Sequence, residues 1–330
     1  MRDPEFWWRP FGLWSGLLAP LGTVYGAIVT ARMAAPGTRA SVPVLCVGNF
    51  TLGGAGKTPL TIWLTKLLAD AGEKPFCLSR GYGGRATGPN LVDATAGSAA
   101  DVGDEALLLA RAAPTVVSKD RVAGAQFAAA QGATVIVMDD GLQNASLVKD
   151  FTIAAIDAGR GVGNGLVFPA GPLRAPLKAQ FAYTDALLAI GEAAAVDAIA
   201  KAAPGLPLFH GRLIPDAAAV QELQARKVLA FAGIGNPDKF FATAEQAGIA
   251  VAQRRRFGDH YRFSAEDAAA LTMDAERDGL TLLTTEKDRA RMTGDPALAS
   301  FAASVKTLPV TLAIEHAEAL RALIMAALRR

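Results

Sequence analysis

Between residues 49 and 60 the chain reads NFTLGGAGKTPL, directly after an apolar run, Val42–Val47, that ends in Gly48. Thr51 and Leu52 lead into Gly53, Gly54, Ala55 and Gly56, which carry nothing that blocks the approach of an oxygen-rich ligand. Their N–H groups, with a helix N-terminus behind them, form an anion cradle. Lys57 is placed to reach the outer phosphates of a nucleotide, and the Thr58 hydroxyl to ligate Mg²⁺. Thr51 occupies the position where the general phosphate-loop pattern has its first glycine, but the strand–loop–helix context and the intact GKT keep the reading. A second apolar run, Thr134–Met138, ends in Asp139 and Asp140. An acid at such a strand end holds Mg²⁺ directly or through water, and spacing does not choose between the two. The guanine-reading signal of GTPases is missing, because Thr285, Glu286, Lys287 and Asp288 put the lysine in the wrong register. That favours ATP.

Other polar islands lie where strands end. SRGYGG (79–84) follows the second strand, at a carboxyl end where open α/β sheets bind ligands. VGDE (102–105) starts a helix at an acid pair, and Asp104 taken alone is equally a helix-start acid favoured by the dipole. GNG (163–165) and FPAGPLR (168–174) are too rich in glycine and proline for a helix and form a rigid loop presenting Arg174. FGDHYRF (257–263) sets His260 beside an acid and aromatics, whereas His210 and His316 have no such company and receive no role. The run Arg254–Arg256 reads either as a solvated face or as a surface for an anionic substrate.

These residues need a scaffold, and the remaining pattern supplies one. Nearly continuous apolar runs at Val42–Val47, Pro75–Leu78, Thr115–Val117, Thr134–Met138, Thr152–Ile156 and Ala186–Ile190 alternate with helical stretches. Runs of that kind suit a parallel sheet covered on both faces. A second set, Val228–Ala232, Ile249–Ala252, Thr281–Leu283 and Val310–Ile314, follows a join at Leu206–Glu222. The expected architecture is α/β: a P-loop NTPase-like, mostly parallel sheet with helices on both faces, and a smaller C-terminal α/β domain. The expected divisions are 1–40, 41–210 and 211–330.

Composition agrees with an enzyme-sized globular chain: 330 residues, 51% hydrophobic, 19% charged and net charge +2. Such a chain is not disordered, and its balance excludes a general nucleic-acid binder, whose footprint is strongly basic. Cys46 and Cys77 lie in apolar runs and read as reduced, structural thiols. Residues 6–33 are unusual, with Trp7, Trp8 and Trp14 among the chain's four tryptophans. Trp7, Phe11, Trp14, Leu18, Leu21, Tyr25 and Ile28 recur at spacings of four and three, one helical face. Pro10 and Pro20 predict two or three helical pieces. The apolar stretch after Pro20 falls short of the roughly 20 residues that span a bilayer, and Asp3 and Glu5 spoil a secretory signal. The segment therefore reads as an amphipathic helix in the membrane interface, with Arg2, Arg9, Arg32 and Arg39 available to anionic lipid. A helix packed on the protein's own core and a true membrane span are the alternatives.

Taken in order, VGNFTLGGAGKTP (47–59), SRGYGG, VGDE, DDGLQN (139–144), GNG…PAGPLR, FGDHYRF and TTEKD (284–288) resemble the motifs of the tetraacyldisaccharide 4′-kinases, the lipid A 4′-kinases of Gram-negative bacteria. The resemblance spans about residues 1–290, and Thr51 is itself usual in that family. It implies ATP- and Mg²⁺-dependent phosphorylation of the 4′-hydroxyl of a tetraacylated glucosamine disaccharide 1-phosphate at the cytoplasmic face of the inner membrane. By matching position it implies Asp104 as general base, His260 as its partner, and Lys57 and Thr58 serving the phosphates and Mg²⁺. It also implies Asp139, Asp140 and Glu105 around the metal, with Tyr82, Gln143 and Arg174 near nucleotide or substrate. The partners implied are an acylated disaccharide lipid and the membrane, met through residues 1–33, with no nucleic acid and no protein partner. Asn144 and Ala175 depart from the histidine and glutamate usual in the family. The rival reading is a P-loop GTPase or ATPase acting as a switch or metallochaperone, which leaves the aromatic N-terminus and FGDHYRF unexplained.

Overall fold

The computed structural model describes residues 3–192 and 195–329; Arg2 lies outside the described residues. The unbroken apolar runs become strands buried on both faces, and all six residues of β1 (Val44–Asn49) are buried. In chain order β2 (Pro75–Ser79), β3 (Asn90–Leu91), β4 (Thr115–Val117), β5 (Val135–Asp139), β6 (Phe151–Asp157), β7 (Ala186–Ile190) and β8 (Leu208–Pro215) follow. The rest are β9 (Lys227–Ala232), β10 (Ala250–Arg256), β11 (Thr281–Thr284), β12 (Lys306–Thr307) and β13 (Val310–Ile314). Among the described residues they form a nine-stranded sheet, β13-β8-β7-β6-β1-β5-β2-β4-β3, and a four-stranded sheet, β10-β9-β11-β12. All pairings are parallel except the two edges, β13 on β8 and β3 on β4. The register of β1 on β5 sets Val47 opposite Asp139, so the phosphate loop and the acid pair leave the sheet at the same end.

Two expectations about the join change. Leu206–Glu222 contains a strand of the large sheet, β8, and then a helix, Ala217–Gln224. Val310–Ile314, expected with the second set, returns to pair with β8. The helix after it, Ala317–Leu328, explains why. It presents Leu320, Ile324 and Ala327, which join the core built from Leu45, Leu60, Leu64 and Ile190. An apolar helix face needs a covered sheet, and the large sheet offers it. The small sheet has its own cores around Phe231, Phe263 and Met292, and around Phe240, Phe241 and Leu283.

At the N-terminus Pro10 separates two helical pieces, as expected, but Pro20 does not break the second. A short 3₁₀ turn, Glu5–Trp8, precedes one helix, Leu13–Met33, that runs through Pro20. A helical proline removes one donor and costs about 3 kcal/mol. Contacts on both sides of it offset that loss, because Ser15, Gly22, Gly26, Val29 and Met33 form a buried seam. Gly22 sits so close to the 163–174 loop that a Cβ there would lie 2.6 Å from the Val167 carbonyl oxygen. Trp7, counted on the outer face by spacing, is instead 5% exposed, and its indole N–H donates to the Pro169 carbonyl at 3.0 Å. The face turned outward is apolar: Phe11, Leu13, Trp14, Leu17, Leu21, Val24 and Ile28 are each about half exposed or more. The helix is long and apolar enough to cross a membrane, with a mean hydropathy of 1.4 over its best window.

Candidate active site

The loop after β1 adopts the shape its glycines allow. Gly53 and Gly56 take φ of +95° and +87°, and the helix Lys57–Asp70 begins at Lys57. The approach to the cradle is pinned by side chains. Asn49 Nδ2 donates to the Thr51 carbonyl at 2.7 Å, and Arg174 Nε donates to the same oxygen at 2.9 Å. No acceptor among the described residues takes the amide N–H of Gly53, Gly54 or Ala55. Free donors converging beside a helix N-terminus fit a polyphosphate. Lys57, 7% exposed, lies 3.8 Å from Asp140. A cavity of about 1570 Å³ opens in front of the loop, and Thr58, Glu105, Asp139, Asp140 and His260 line it.

The acids do not share one environment. Asp139 is buried and accepts from the Thr61 hydroxyl at 3.1 Å. Burial first, then the charges of Glu105 and Asp140, push its carboxyl up to about 7. Burial would raise Asp140 too, but Arg174, 2.8 Å away, and Lys57 outweigh it and hold that carboxyl well below the usual carboxylate range. Among the described residues no three acidic, thiol or imidazole side chains converge as a metal cage. The Asp139 and Asp140 carboxylates and the Thr58 hydroxyl, which line the cavity, fit Mg²⁺, which binds through one or two carboxylates and shares its remaining positions with substrate phosphates and water.

A stability experiment follows from Asp139. An unfolded aspartate ionises near 3.8 and the folded one near 7, so the folded state binds the extra proton. The penalty is absent below pH 4, grows between about 4 and 7, and is complete above 7. Asp139→Asn is therefore expected to raise the unfolding midpoint of the nucleotide-free protein at pH 8 and to leave it unchanged at pH 4. Calorimetry across that range checks it; an equal gain at both pH values would assign the effect to packing.

The second sheet brings its own groups to the same cavity. His260, at φ +54°, sets Nδ1 3.4 Å from Asp104 Oδ2, although Asp104 starts a helix beside the large sheet and His260 lies in the loop after β10 of the small one. Tyr82 packs edge-on against the His260 ring, with centroids 5.0 Å apart. Asp104 itself is 4% exposed. Burial acts to raise its carboxyl, but His260, Lys287 and Arg291 prevail and hold it well below the ordinary range. Lys287 pairs with Glu105 at 2.9 Å. Burial opposes the Lys287 charge, but the Glu105 and Asp104 carboxylates push its pKa above the ordinary lysine value. Glu105, opposed likewise by burial, is lowered chiefly by Lys287 and Lys57. The backbone closes the same gap: a Cβ on Gly235 would lie 2.6 Å from the Gly54 amide.

Sequence and fold have a counterpart among known proteins. The family model described as LpxK, Tetraacyldisaccharide-1-P 4′-kinase, matches residues 14–329. This chain belongs to that family. A tetraacyldisaccharide 4′-kinase of Rhodopseudomonas palustris (strain BisB5) is 55% identical over 97% of this chain and 95% of its own length. One from Methylobacterium sp. (strain 4-46) is 56% identical over 100% of this chain and 98% of its own. A crystal structure described as the "apo" form of LpxK from Aquifex aeolicus in complex with ATP has a TM-score of 0.73 and 26% identity. It matches 96% of this chain and 100% of that one.

As a tetraacyldisaccharide 4′-kinase family member the chain is an enzyme, and the residues read from its motifs divide by geometry. Lys57, Thr58, Asp139, Asp140, Glu105, His260 and Tyr82 line the cavity, and Asp104 stands behind His260. Gln143 and Arg174 also line it, but both are tied into the scaffold. Gln143 Nε2 donates to the Asn49 carbonyl at 2.8 Å and to Gln180 Oε1 at 2.7 Å, while Arg174 is spent on Thr51 and Asp140. Their visible work is to hold the loop. The Arg254–Arg256 run faces acids: Arg254 pairs with Glu245, Arg255 with Asp274 and Arg256 with Asp238. The departures from the family pattern have local accounts. Asn144 Oδ1 caps the turn to Ser146, and Ala175 is buried against the N-terminal helix. Cys46 and Cys77 are free and buried, and burial pushes their thiols up to about 11 and 12, as inert structural thiols require.

Sequence reasoning missed Arg121, Lys287 and Arg291. Arg121 is 3% exposed and donates to the carbonyls of Leu78 and Asp139, joining the ends of β2 and β5. Lys287 lay inside a quoted motif without a role. No spacing signal marked Arg291, since its partner is 187 residues away.

Proposed function

We propose that this chain transfers the γ-phosphoryl group of ATP to the 4′-hydroxyl of a tetraacyldisaccharide 1-phosphate, at the cytoplasmic face of the inner membrane. The observation that carries the reading is the meeting of Asp104, beside the large sheet, and His260, beside the small one, at the cavity into which the phosphate loop opens. A switch or metallochaperone has no need of a proton-accepting pair there; a kinase with an alcohol acceptor does.

Bound Mg²⁺–ATP would supply the phosphoryl donor and neutralise charge on its oxygens. The chain's own residues do the rest. The amides of Gly53, Gly54 and Ala55 cradle phosphate oxygens, and Lys57 adds a fixed positive charge. The Thr58 hydroxyl and one or two of the carboxylates of Asp139, Asp140 and Glu105 would hold the metal. The acceptor hydroxyl gives its proton to the Asp104–His260 pair, whose cavity-facing member is the imidazole and whose charge is the carboxylate's. Because the transition state is loose, positioning matters more than base strength, and a carboxylate held ionised suits that task.

The N-terminal helix takes the enzyme to its lipid. A substrate with four acyl chains stays in the bilayer, since each buried methylene contributes about 0.8 kcal/mol, and the outward apolar face of Leu13–Met33 is built to lie in that interface. Deleting the helix would disturb its seam with the 163–176 loop, so surface changes are the cleaner test. Leu17→Asp with Leu21→Asp is expected to raise KM for lipid in vesicles by at least about tenfold, from the burial lost per side chain, with KM for ATP unchanged. An equal rise in both constants would point to misfolding.

The reaction itself is tested with the full chain in mixed micelles containing Mg²⁺, γ-labelled ATP and tetraacyldisaccharide 1-phosphate. Label should appear on the lipid, at a rate lower by about 10²- to 10³-fold in Lys57→Met. ATP hydrolysis with no lipid label, beside an active kinase as control, would favour the switch reading.

A further inference from the structure

Arg291 lies on the helix Glu286–Met292 of the small sheet's unit, and its side chain is 6% exposed. Its Nε donates to Asp104 Oδ2 at 2.5 Å, across the boundary between the two sheets. Its Nη1 donates to Asp288 Oδ1 at 2.6 Å and to the Gly233 carbonyl at 2.5 Å. Asp288 is fully buried and held in turn by the Thr285 hydroxyl and the Gly233 amide. The guanidinium is thus fixed in its own unit and reaches out with one nitrogen. Asp104 completes the arrangement: Oδ1 accepts from the Glu105 amide at 2.9 Å, while Oδ2 faces Arg291 and His260 together. Nη2 is buried and has no hydrogen-bond partner among the described residues.

We propose that Arg291 is the positioning residue of the Asp104–His260 pair: it docks the Asp104 carboxylate against the small sheet's unit, so that the pair is assembled only when the two units meet. The proposal rests on the reading of Asp104 given above. Arg291 does not line the cavity, so it acts through Asp104 and touches neither nucleotide nor acceptor. A rigid guanidinium holds Nη1 on Asp288 and Gly233 while Nε reaches Asp104, an arrangement that the single ammonium of lysine cannot reproduce.

The test is a cycle of full-length variants, Arg291→Met, Asp104→Asn and the double variant, assayed for lipid phosphorylation. Arg291→Met is expected to lower kcat by about 10²-fold, within the range for disabling a positioned acid–base group, with KM for ATP within twofold of wild type. In the Asp104→Asn background the same change should cost almost nothing. Arg291→Lys should recover only part of the loss, and guanidinium ion added to Arg291→Ala should recover turnover without altering KM for ATP. Losses that multiply in the double variant would overturn the proposal and leave Arg291 a packing residue. If Arg291→Met fails to fold, the guanidinium rescue and the lysine variant still decide: no rescue in folded protein overturns it. Wild-type turnover in Asp104→Asn would instead remove the reading on which it rests, a result distinguishable from either.

Discussion

Asp104→Asn is expected to lower turnover by about 10²- to 10⁴-fold, the range for loss of a positioned acid–base group, while KM for ATP stays near its wild-type value. The split follows from where Asp104 sits. It lies behind His260 and touches neither the loop amides nor Lys57, so nucleotide binding does not pass through it. The amide keeps the shape and removes the charge, which leaves the imidazole without the carboxylate that orients it. It also leaves Arg291 facing a neutral partner, and breaking a buried ion pair costs about 3–5 kcal/mol, so the variant should melt earlier. Turnover must therefore be compared at a temperature where both proteins are folded by circular dichroism. A folded Asp104→Asn with wild-type turnover would remove the carboxylate from the chemistry, and a parallel rise in KM for ATP would move it into nucleotide binding.

What could be read beforehand follows the range of the interaction concerned. The P-loop was legible because its chemistry is local: glycines, lysine and threonine act within one turn, and the strand and helix around them have their own periodicities. β4, β7 and β13 begin and end where their apolar runs do. The sheet to which β13 belongs was not legible, since an apolar run states that a strand is covered and not by what. Pro20 was over-read, because its helix is held by the Gly22 and Gly26 seam against residues distant in sequence. The same holds in the site. Asp104 and His260 were named through their motifs, but the pairings Lys287–Glu105 and Arg291–Asp104 join two sheets and leave no trace in spacing. Gln143 and Arg174, which the family resemblance placed near nucleotide or substrate, do line the cavity, and the carbonyls of Asn49 and Thr51 also take them up, a bracing that a glycine-rich loop cannot supply for itself and that spacing did not show.

Lys57→Met should cost about 10²- to 10³-fold in kcat, the usual loss when one charge-stabilising donor is removed from a transition state, and unlike Asp104→Asn it should also raise KM for ATP. Methionine keeps the stem that packs at the start of the loop helix, so the fold should survive. What disappears is the fixed positive charge 3.8 Å from Asp140. Asp140 retains Arg174, but that guanidinium is committed to the Thr51 carbonyl and cannot move to the phosphates. The cradle is then left with amide donors and a net negative acid pair facing a polyanion. Lys57→Arg should not rescue, because the buried pocket holds a compact ammonium and a planar guanidinium does not fit the same point. The readout is the ratio of the two effects. A variant that loses affinity for ATP but keeps kcat has lost an interaction equal in ground and transition states, and Lys57 would then be a nucleotide anchor only. A loss in kcat as well means that its charge is felt most where the phosphoryl group is in flight.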